Sequence, residues 1–147
     1  MIGDGLSASA VGSHAAITVR EALARLDGFS IAPIVLARGA RVALSDPIGA
    51  ATGAQLAVML IGERPGLSSA DSLGCYLTYA PRPGRRDGER NCISNIHAHG
   101  VAPKLAAEKI AWLAREALRR KLTGVDLKEA TPESMRLDGS TTPQIGP

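Results

Sequence analysis

The chain has 147 residues, of which 45% are hydrophobic and 21% charged, and this composition suits one globular domain with a sizeable core. Its formal net charge of +3 is mild, and its few aromatic residues do not interleave with the arginines, which argues against nucleic-acid binding. No apolar run approaches the roughly 20 residues that span a bilayer, and the amino terminus lacks the pattern of a secretory signal. Two cysteines are too few for a disulfide framework, so we expect a reducing, cytoplasmic setting.

The first half of the chain alternates between predicted helices and predicted strands. A helix is predicted from Ala16 to a stop at Gly28, because apolar residues recur there at three- and four-residue steps. The residues of this expected buried face are Ala16, Val19, Leu23 and Leu26. Residues 31–37 (IAPIVLA) predict a strand, with Pro33 at its start or the strand at an edge.

A short helix and a buried strand follow. Asp46 and Pro47 predict a helix start, with Asp46 as the cap and Pro47 as the first helical residue, and Gly53 predicts the end of this helix. Residues 55–61 predict the next strand, whose unbroken apolar run indicates burial on both faces. Glu63 and Arg64 then stand at its carboxyl end, where open α/β sheets bind ligands.

The second half of the chain is less regular. Residues 73–80 (LGCYLTYA) predict a third strand, residues 81–90 a loop, and residues 125–127 an edge strand. Residues 103–122 predict the longest helix. Its expected buried face comprises Ala106, Ile110, Leu113 and Ala117. We therefore predict an α/β fold over residues 1–128, with a mostly parallel, doubly wound, Rossmann-like sheet, and a disordered tail over residues 129–147.

Two clusters between residues 91 and 100 (NCISNIHAHG) could carry chemistry. His97 and His99 form an H-x-H pair, but no Cys or carboxylate stands at a supporting spacing, so a solvated loop pair is favoured over a metal site. Cys92 and His97 could form a nucleophile and base, but they lie five residues apart in a predicted loop with no evident orienting group.

Longer motifs carry a resemblance to a known family. They are DGLSA at residues 4–8, the pair Arg41-Val42, LIGERPGLSSADSLGCYLTYAPRPG at residues 60–84, RNCISNIH at residues 90–97 and LTGVDLK at residues 122–128. In residue identity, order and spacing, these motifs closely resemble the small (light) subunit of ethanolamine ammonia-lyase. The resemblance covers the chain up to Lys128.

The resemblance implies a subunit of an adenosylcobalamin-dependent lyase that converts ethanolamine to acetaldehyde and ammonia by a radical mechanism. The family's large subunit holds the substrate and the catalytic groups, and the small subunit covers the cobalamin from the other side. The radical chemistry is then carried out by the cofactor, and the protein binds and orients the cofactor. The resemblance also implies a hetero-oligomer in the cytoplasm, which in some relatives lies inside a bacterial microcompartment.

The family's cobalamin contacts fall on Val42, Glu63 and Cys92 of this chain. Glu63 would accept hydrogen bonds from the amide side chains of the corrin rim, Val42 would offer apolar surface, and Cys92 would be a small packing residue. The resemblance implies no catalytic residue and no metal ligand in this chain. The motif D-x-H-x-x-G, which donates a lower-axial histidine to cobalt in other proteins, is absent.

The family's small subunit is longer at its amino end, so the resemblance implies a truncated form of the cobalamin-covering domain, whose first strand is cut short. We therefore expect an open sheet edge beside the strand of Ile31 or of Leu56. One alternative from another class stays open. An α/β module could bind a nucleotide or phosphate ligand with residues 4–9 and Glu63 at the carboxyl edge of the sheet.

Overall fold

The computed structural model describes residues 1–63 and 71–129, and of residues 128 and 129 it describes the backbone alone. The predictions for Arg64, and for the tail beyond residue 129, lie outside the described residues. Among the described residues, no helix is both long and apolar enough to cross a membrane.

One five-stranded sheet organises the described residues, with the strand order β2-β1-β3-β4-β5. Strand β1 is parallel to both β2 and β3, whereas the β3–β4 and β4–β5 pairs are antiparallel. The strands are β1 (Ile2–Gly3), β2 (Leu36–Ala37), β3 (Leu56–Gly62), β4 (Leu73–Tyr79) and β5 (Arg90–Ile96).

The prediction of a mostly parallel sheet is therefore wrong, because the sheet is mixed. The connection from β3 to β4 runs only from residue 63 to residue 72. A parallel crossover needs about a dozen residues or more, usually including a helix, so this short connection returns the chain antiparallel. The three strands at 56–62, 73–79 and 36–37 confirm the positions of the predicted strands, although β2 keeps only the end of the predicted run.

Helices cover one face of the sheet much more fully than the other. The helices are α1 (Ala8–Ala10), continued by a π-helical stretch (Val11–Ala15) and α2 (Ala16–Leu23), then α3 (Ser45–Ala51), α4 (Pro103–Arg120) and α5 (Val125–Glu129). Helices α2 and α4 pack on the face that carries Leu60, Leu73, Cys75 and Leu77, and this side holds the main core. We call it the helix-covered face.

The opposite face carries Met59, Ile61 and Tyr76, and a smaller apolar cluster forms there with Ala40 and Val42. A short 3₁₀ turn (Val42–Leu44) leads into α3 beside this cluster. Gly49 of α3 approaches Ala57, so α3 covers only one end of this face. We call it the open face.

The long helix α4 confirms its predicted buried side, since Ala106, Ile110, Leu113 and Ala117 are all buried. The predicted buried face of the first long helix is confirmed only in part, since Val19 and Leu26 are partly buried against the main core but its other two residues are not. Ala15, Thr18 and Ala22 are buried, whereas Ala16 and Leu23 are exposed. Helix α2 packs against the alanine-rich side of α4, and small residues allow that close approach, so packing overrides the local apolar pattern.

The predicted edge strand at residues 125–127 is helix α5 instead. Asn91 holds Gly124, whose φ is +101°, through hydrogen bonds in both directions (Gly124 N to Asn91 Oδ1, 2.9 Å; Asn91 Nδ2 to Gly124 O, 3.0 Å). This turn directs the chain away from the sheet edge, and Leu127 is fully buried in the main core.

Asp46 does not cap α3 as predicted. Its two carboxylate oxygens accept hydrogen bonds from the Arg90 guanidinium, each at 2.7 Å, and both side chains are almost completely buried. Arg90 also donates to Thr78 Oγ1 at 2.9 Å. The bidentate pair therefore fastens α3 to β4 and β5 across the open face.

We expect Asp46→Ala to lower the free energy of unfolding by about 3–5 kcal/mol, because it leaves a buried guanidinium without its partner. The matched control is Asp87→Ala, since the fully exposed Asp87 lies 3.7 Å from the same guanidinium. Exposed pairs contribute little, so the control should remain close to the unmodified chain. Urea unfolding of the three chains tests this, and equal effects of the two substitutions would contradict it.

The expected open edge is present as a groove of 730 Å³ between the helix-covered face and the segment before β2. Strand β1 pairs with β3 at Leu60 and Ile61, so Leu56 and Ala57 lie beyond its reach. The groove is lined largely by apolar residues, including Phe29, Ile31 and Ile34. Leu36, on the neighbouring β2, is 76% exposed.

Because open apolar edges pair with other chains, we expect concentration-dependent self-association of this chain. Leu36→Lys should weaken it, since a charge on an edge strand opposes pairing. Val125→Lys is the control, as Val125 is also exposed but lies on α5. Sedimentation velocity measures the association, and a chain that stays monomeric at every concentration would refute the expectation.

Candidate functional site

The three residues singled out from the sequence lie around one tyrosine on the open face. Val42 begins the 3₁₀ turn and packs in the same apolar cluster as Tyr76. Cys92 on β5 stands directly opposite Tyr76 in the antiparallel register. Glu63 follows β3 and lies close enough to Tyr76 to affect its ionisation. Val42, Glu63 and Cys92, which are at least 21 positions apart in the sequence, thus lie on the same face as Tyr76.

Glu63 is held across the end of the sheet. Its backbone nitrogen donates to Ser72 O at 2.9 Å, which continues the β3–β4 ladder by one residue. Its carboxylate Oε2 accepts from Ser72 Oγ at 3.0 Å and from the backbone nitrogen of Asn95 at 3.1 Å. The carboxylate therefore links β3, the start of β4 and β5.

A bulge in β5 supplies the Asn95 nitrogen. Leu73 pairs with Ile96 and Cys75 with Ile93, so three steps on β5 face two steps on β4. Asn95 takes the left-handed conformation, with φ +60°. A bulge leaves a backbone donor outside the ladder, and here that donor points at the Glu63 carboxylate.

Gly74 makes room for this arrangement. A Cβ atom at Gly74 would lie 2.7 Å from Glu63 Oε1 and 3.0 Å from Tyr76 Cε2. Sequence reasoning missed both Gly74 and Tyr76 as members of the site. The available signal was a glycine inside a strand, which often marks a bulge or the close approach of another group.

Tyr76 and the two cysteines differ sharply in environment. Burial raises the pKa of Tyr76, and the neighbouring Cys92 side chain, which is within hydrogen-bonding reach of the hydroxyl, raises it further. Cys92 is exposed on the open face. Cys75 is fully buried on the helix-covered face, and that burial strongly raises the pKa of its thiol. The open face therefore presents one thiol, beside a half-buried tyrosine.

The structure corrects the predicted loop around Cys92 and the predicted solvation of His97. Residues 90–96 form β5 rather than a loop, because pairing with β4 outweighs their polar composition. His97 is buried rather than solvated, and its Nε2 bonds Asn95 Oδ1 at 2.8 Å while its Nδ1 accepts from His99 N at 3.3 Å. Both ring nitrogens are thus engaged locally, so His97 is not placed to act as a base for Cys92.

No group of three or more His, Cys, Asp or Glu side chains that could hold a metal ion occurs among residues 1–63 and 71–127. The open face presents a carboxylate acceptor beside an apolar surface. Val42 and Tyr76 supply the apolar surface, and Glu63 supplies the acceptor.

The DGLSA motif forms a structural corner at the carboxyl ends of the three parallel strands. The Asp4 carboxylate accepts hydrogen bonds from the backbone nitrogens of Ala40 and Gly39, both at 3.0 Å, and these bonds lower the pKa of Asp4. Ser7 Oγ caps α1 through Ala10 N at 3.2 Å. Both side chains are thus committed within the protein, which leaves the phosphate-binding alternative without support from this corner.

This corner also positions Val42. By fixing Gly39 and Ala40, Asp4 anchors the segment that crosses from β2 to the 3₁₀ turn. Gly62 lies against the same corner so closely that a Cβ atom there would be 2.1 Å from Ser7 O. The placement of Val42 and of Glu63, the residue after Gly62, therefore depends on one tightly packed junction.

The described residues define a small α/β domain with a mixed sheet, one helix-covered face and one face that α2 and α4 do not cover. The family model of the ethanolamine ammonia-lyase light chain (EutC) matches residues 1–128. The chain belongs to the ethanolamine ammonia-lyase light-chain family.

Curated relatives are similar over most of this chain. The ethanolamine ammonia-lyase small subunit of Bradyrhizobium diazoefficiens is 55% identical over 148 aligned residues, covering 98% of this chain and 57% of the relative. That of Rhodopseudomonas palustris is 60% identical over 131 residues, covering 88% of this chain and 50% of the relative. The small subunit of Azotobacter vinelandii is 52% identical over 142 residues. The chain spans about half the length of these relatives.

We expect Gly74→Ala to destabilise the chain by roughly 1–3 kcal/mol, because the added methyl group collides with Glu63 and Tyr76. Gly88→Ala is the control, since a Cβ atom at Gly88 meets no other atom within 4 Å. Urea unfolding gives the stability, and the amide resonance of Asn95 reports whether the carboxylate has moved. An unshifted Asn95 resonance in a fully stable Gly74→Ala variant would show that the glycine is not required.

Proposed function

We propose that this chain is the cobalamin-covering part of an adenosylcobalamin-dependent ethanolamine ammonia-lyase, the enzyme that converts ethanolamine to acetaldehyde and ammonia. Family membership supports the subunit role. We assign the cofactor to the open face because Val42, Glu63 and Cys92 all lie there, around Tyr76.

The residues present on the open face fit a corrin. A corrin is a flat macrocycle with apolar surfaces and a rim of amide side chains that donate hydrogen bonds. Glu63 offers a carboxylate, which is an acceptor, held in place by Ser72 and Asn95. Val42 and Tyr76 offer half-buried apolar surface beside it. Because Gly74 has no side chain, it leaves space on β4 for the Glu63 carboxylate and the Tyr76 ring.

In this proposal the chain binds and orients, and it contributes no catalytic residue. When bound, adenosylcobalamin supplies the radical chemistry of the reaction. Glu63 accepts from the rim amides, Val42 contacts the macrocycle, and Cys92 packs against it as a small side chain. The open face excludes water from one side of the cofactor once the large subunit closes over the other side.

The partner in this proposal is the large subunit of the same enzyme, which binds ethanolamine and carries the catalytic groups. The holoenzyme is then a hetero-oligomer, with the cofactor between the two chains. We place it in the cytoplasm, with a bacterial microcompartment as the site in organisms that form one.

We expect Glu63→Ala to weaken cobalamin retention about ten- to hundredfold, because a hydrogen bond to a charged group contributes about 1.5–3 kcal/mol. The chain is mixed with a large subunit and adenosylcobalamin, unbound cofactor is removed by gel filtration, and the retained corrin is measured by its visible absorbance. Acetaldehyde formation from ethanolamine is followed in the same samples.

Glu108→Ala is the matched control, since Glu108 is an exposed carboxylate on α4, behind the helix-covered face. It should retain cobalamin like the unmodified chain. Retention that is unchanged in Glu63→Ala would remove Glu63 from the site. A chain whose melting temperature rises with a nucleotide but not with cobalamin would instead support the phosphate-binding alternative.

A further inference from the structure

Tyr76 occupies the centre of the open face. It lies in the apolar cluster with Met59 and Ile61, so its ring is anchored on β3 as well as on its own strand. Cys92 faces it across the β4–β5 ladder, and Glu63 meets its edge above Gly74. Cys92 and Glu63 therefore lie beside this ring, and Val42 packs against the same apolar cluster as the ring does.

The ring is fixed but not covered within the described residues. Tyr76 is half-buried, in contrast to Met59, its directly opposite partner on β3, which is fully buried. An aromatic side chain that is anchored along one edge and exposed along the other presents rigid apolar surface at little entropic cost. Its hydroxyl lies within hydrogen-bonding reach of Cys92.

We propose that Tyr76 is a further cobalamin-binding residue, whose ring supplies the central apolar contact for the corrin and whose hydroxyl positions the Cys92 side chain. This inference rests on the proposed function, because it deepens the same site. It adds a contact in the middle of the face and gives Cys92 a defined orientation.

Cys92 provides a direct reporter of this arrangement. The chain has two cysteines, and Cys75 is fully buried with a raised pKa, so an alkylating reagent should modify Cys92 selectively in the folded chain. A hydroxyl that donates to sulfur stabilises the thiolate and therefore promotes alkylation near neutral pH. The carboxylates of Glu63 and Asp87 also act on Tyr76, and they are unchanged in the variants below.

The first experiment measures the rate of Cys92 alkylation by iodoacetamide against pH, by mass spectrometry, in the chain alone. Tyr76→Phe should shift the pH profile upwards and slow alkylation several-fold near neutral pH, because the donated hydrogen bond is lost. Tyr79→Phe is the matched control, since Tyr79 lies on the same strand but on the helix-covered face. A Tyr76→Phe profile that coincides with the unmodified profile would overturn the positioning role of the hydroxyl.

The second experiment uses the complex with the large subunit and adenosylcobalamin. Tyr76→Ala should weaken cobalamin retention roughly ten- to hundredfold, whereas Tyr76→Phe should retain it nearly as well as the unmodified chain, because the ring carries the contact. Circular dichroism of Tyr76→Ala establishes that it folds, and Tyr76→Leu replaces it if it does not. Bound cobalamin should also protect Cys92 of the unmodified chain from alkylation.

The outcomes separate the two proposals. If the unmodified chain neither retains cobalamin nor gains protection of Cys92, the proposed function fails. If the unmodified chain does both and a folded Tyr76→Ala or Tyr76→Leu variant retains cobalamin equally well, only the assignment of Tyr76 fails.

Discussion

The open face depends on one carboxylate that crosses the end of the sheet. Glu63 leaves β3, passes above Gly74 of β4 and accepts a hydrogen bond from the bulged backbone of β5 at Asn95. Such a bridge satisfies a backbone donor that the bulge has released from the ladder. It also sets the carboxylate on the same side of the sheet as Tyr76, so one interaction stabilises the fold and defines the site.

Two further anchors hold the elements around this bridge. The Asp4 carboxylate fixes the segment that leads to Val42, and the buried Asp46–Arg90 pair fastens α3 to β4 and β5. All three anchors use a carboxylate that bonds a distant part of the chain. Much of the open face is buried, and among its described strand residues Tyr76 is half-buried and Cys92 is exposed.

The mixed sheet differs from a doubly wound sheet in how its two faces are covered. In a doubly wound domain helices close both faces, and ligands reach only the carboxyl edge of the strands. Here β4 and β5 are antiparallel to their neighbours, and among the described residues α2 and α4 pack only against the other side of these strands. The chain belongs to the ethanolamine ammonia-lyase light-chain family, and this membership is the basis on which we propose a ligand for this face.

Local patterns in the sequence determined the strands at residues 56–62 and 73–79, the long helix with its buried side from Ala106 to Ala117, and the motifs that reveal the family. These features follow from periodicity and turn chemistry within a few residues. Tertiary structure alone decided the mixed strand directions, the buried side of α2, the helix at residues 125–129 and the strand that carries Cys92. It also turned Asp46 from an expected cap into the partner of Arg90, 44 residues away, because a buried charge takes the partner that packing brings to it.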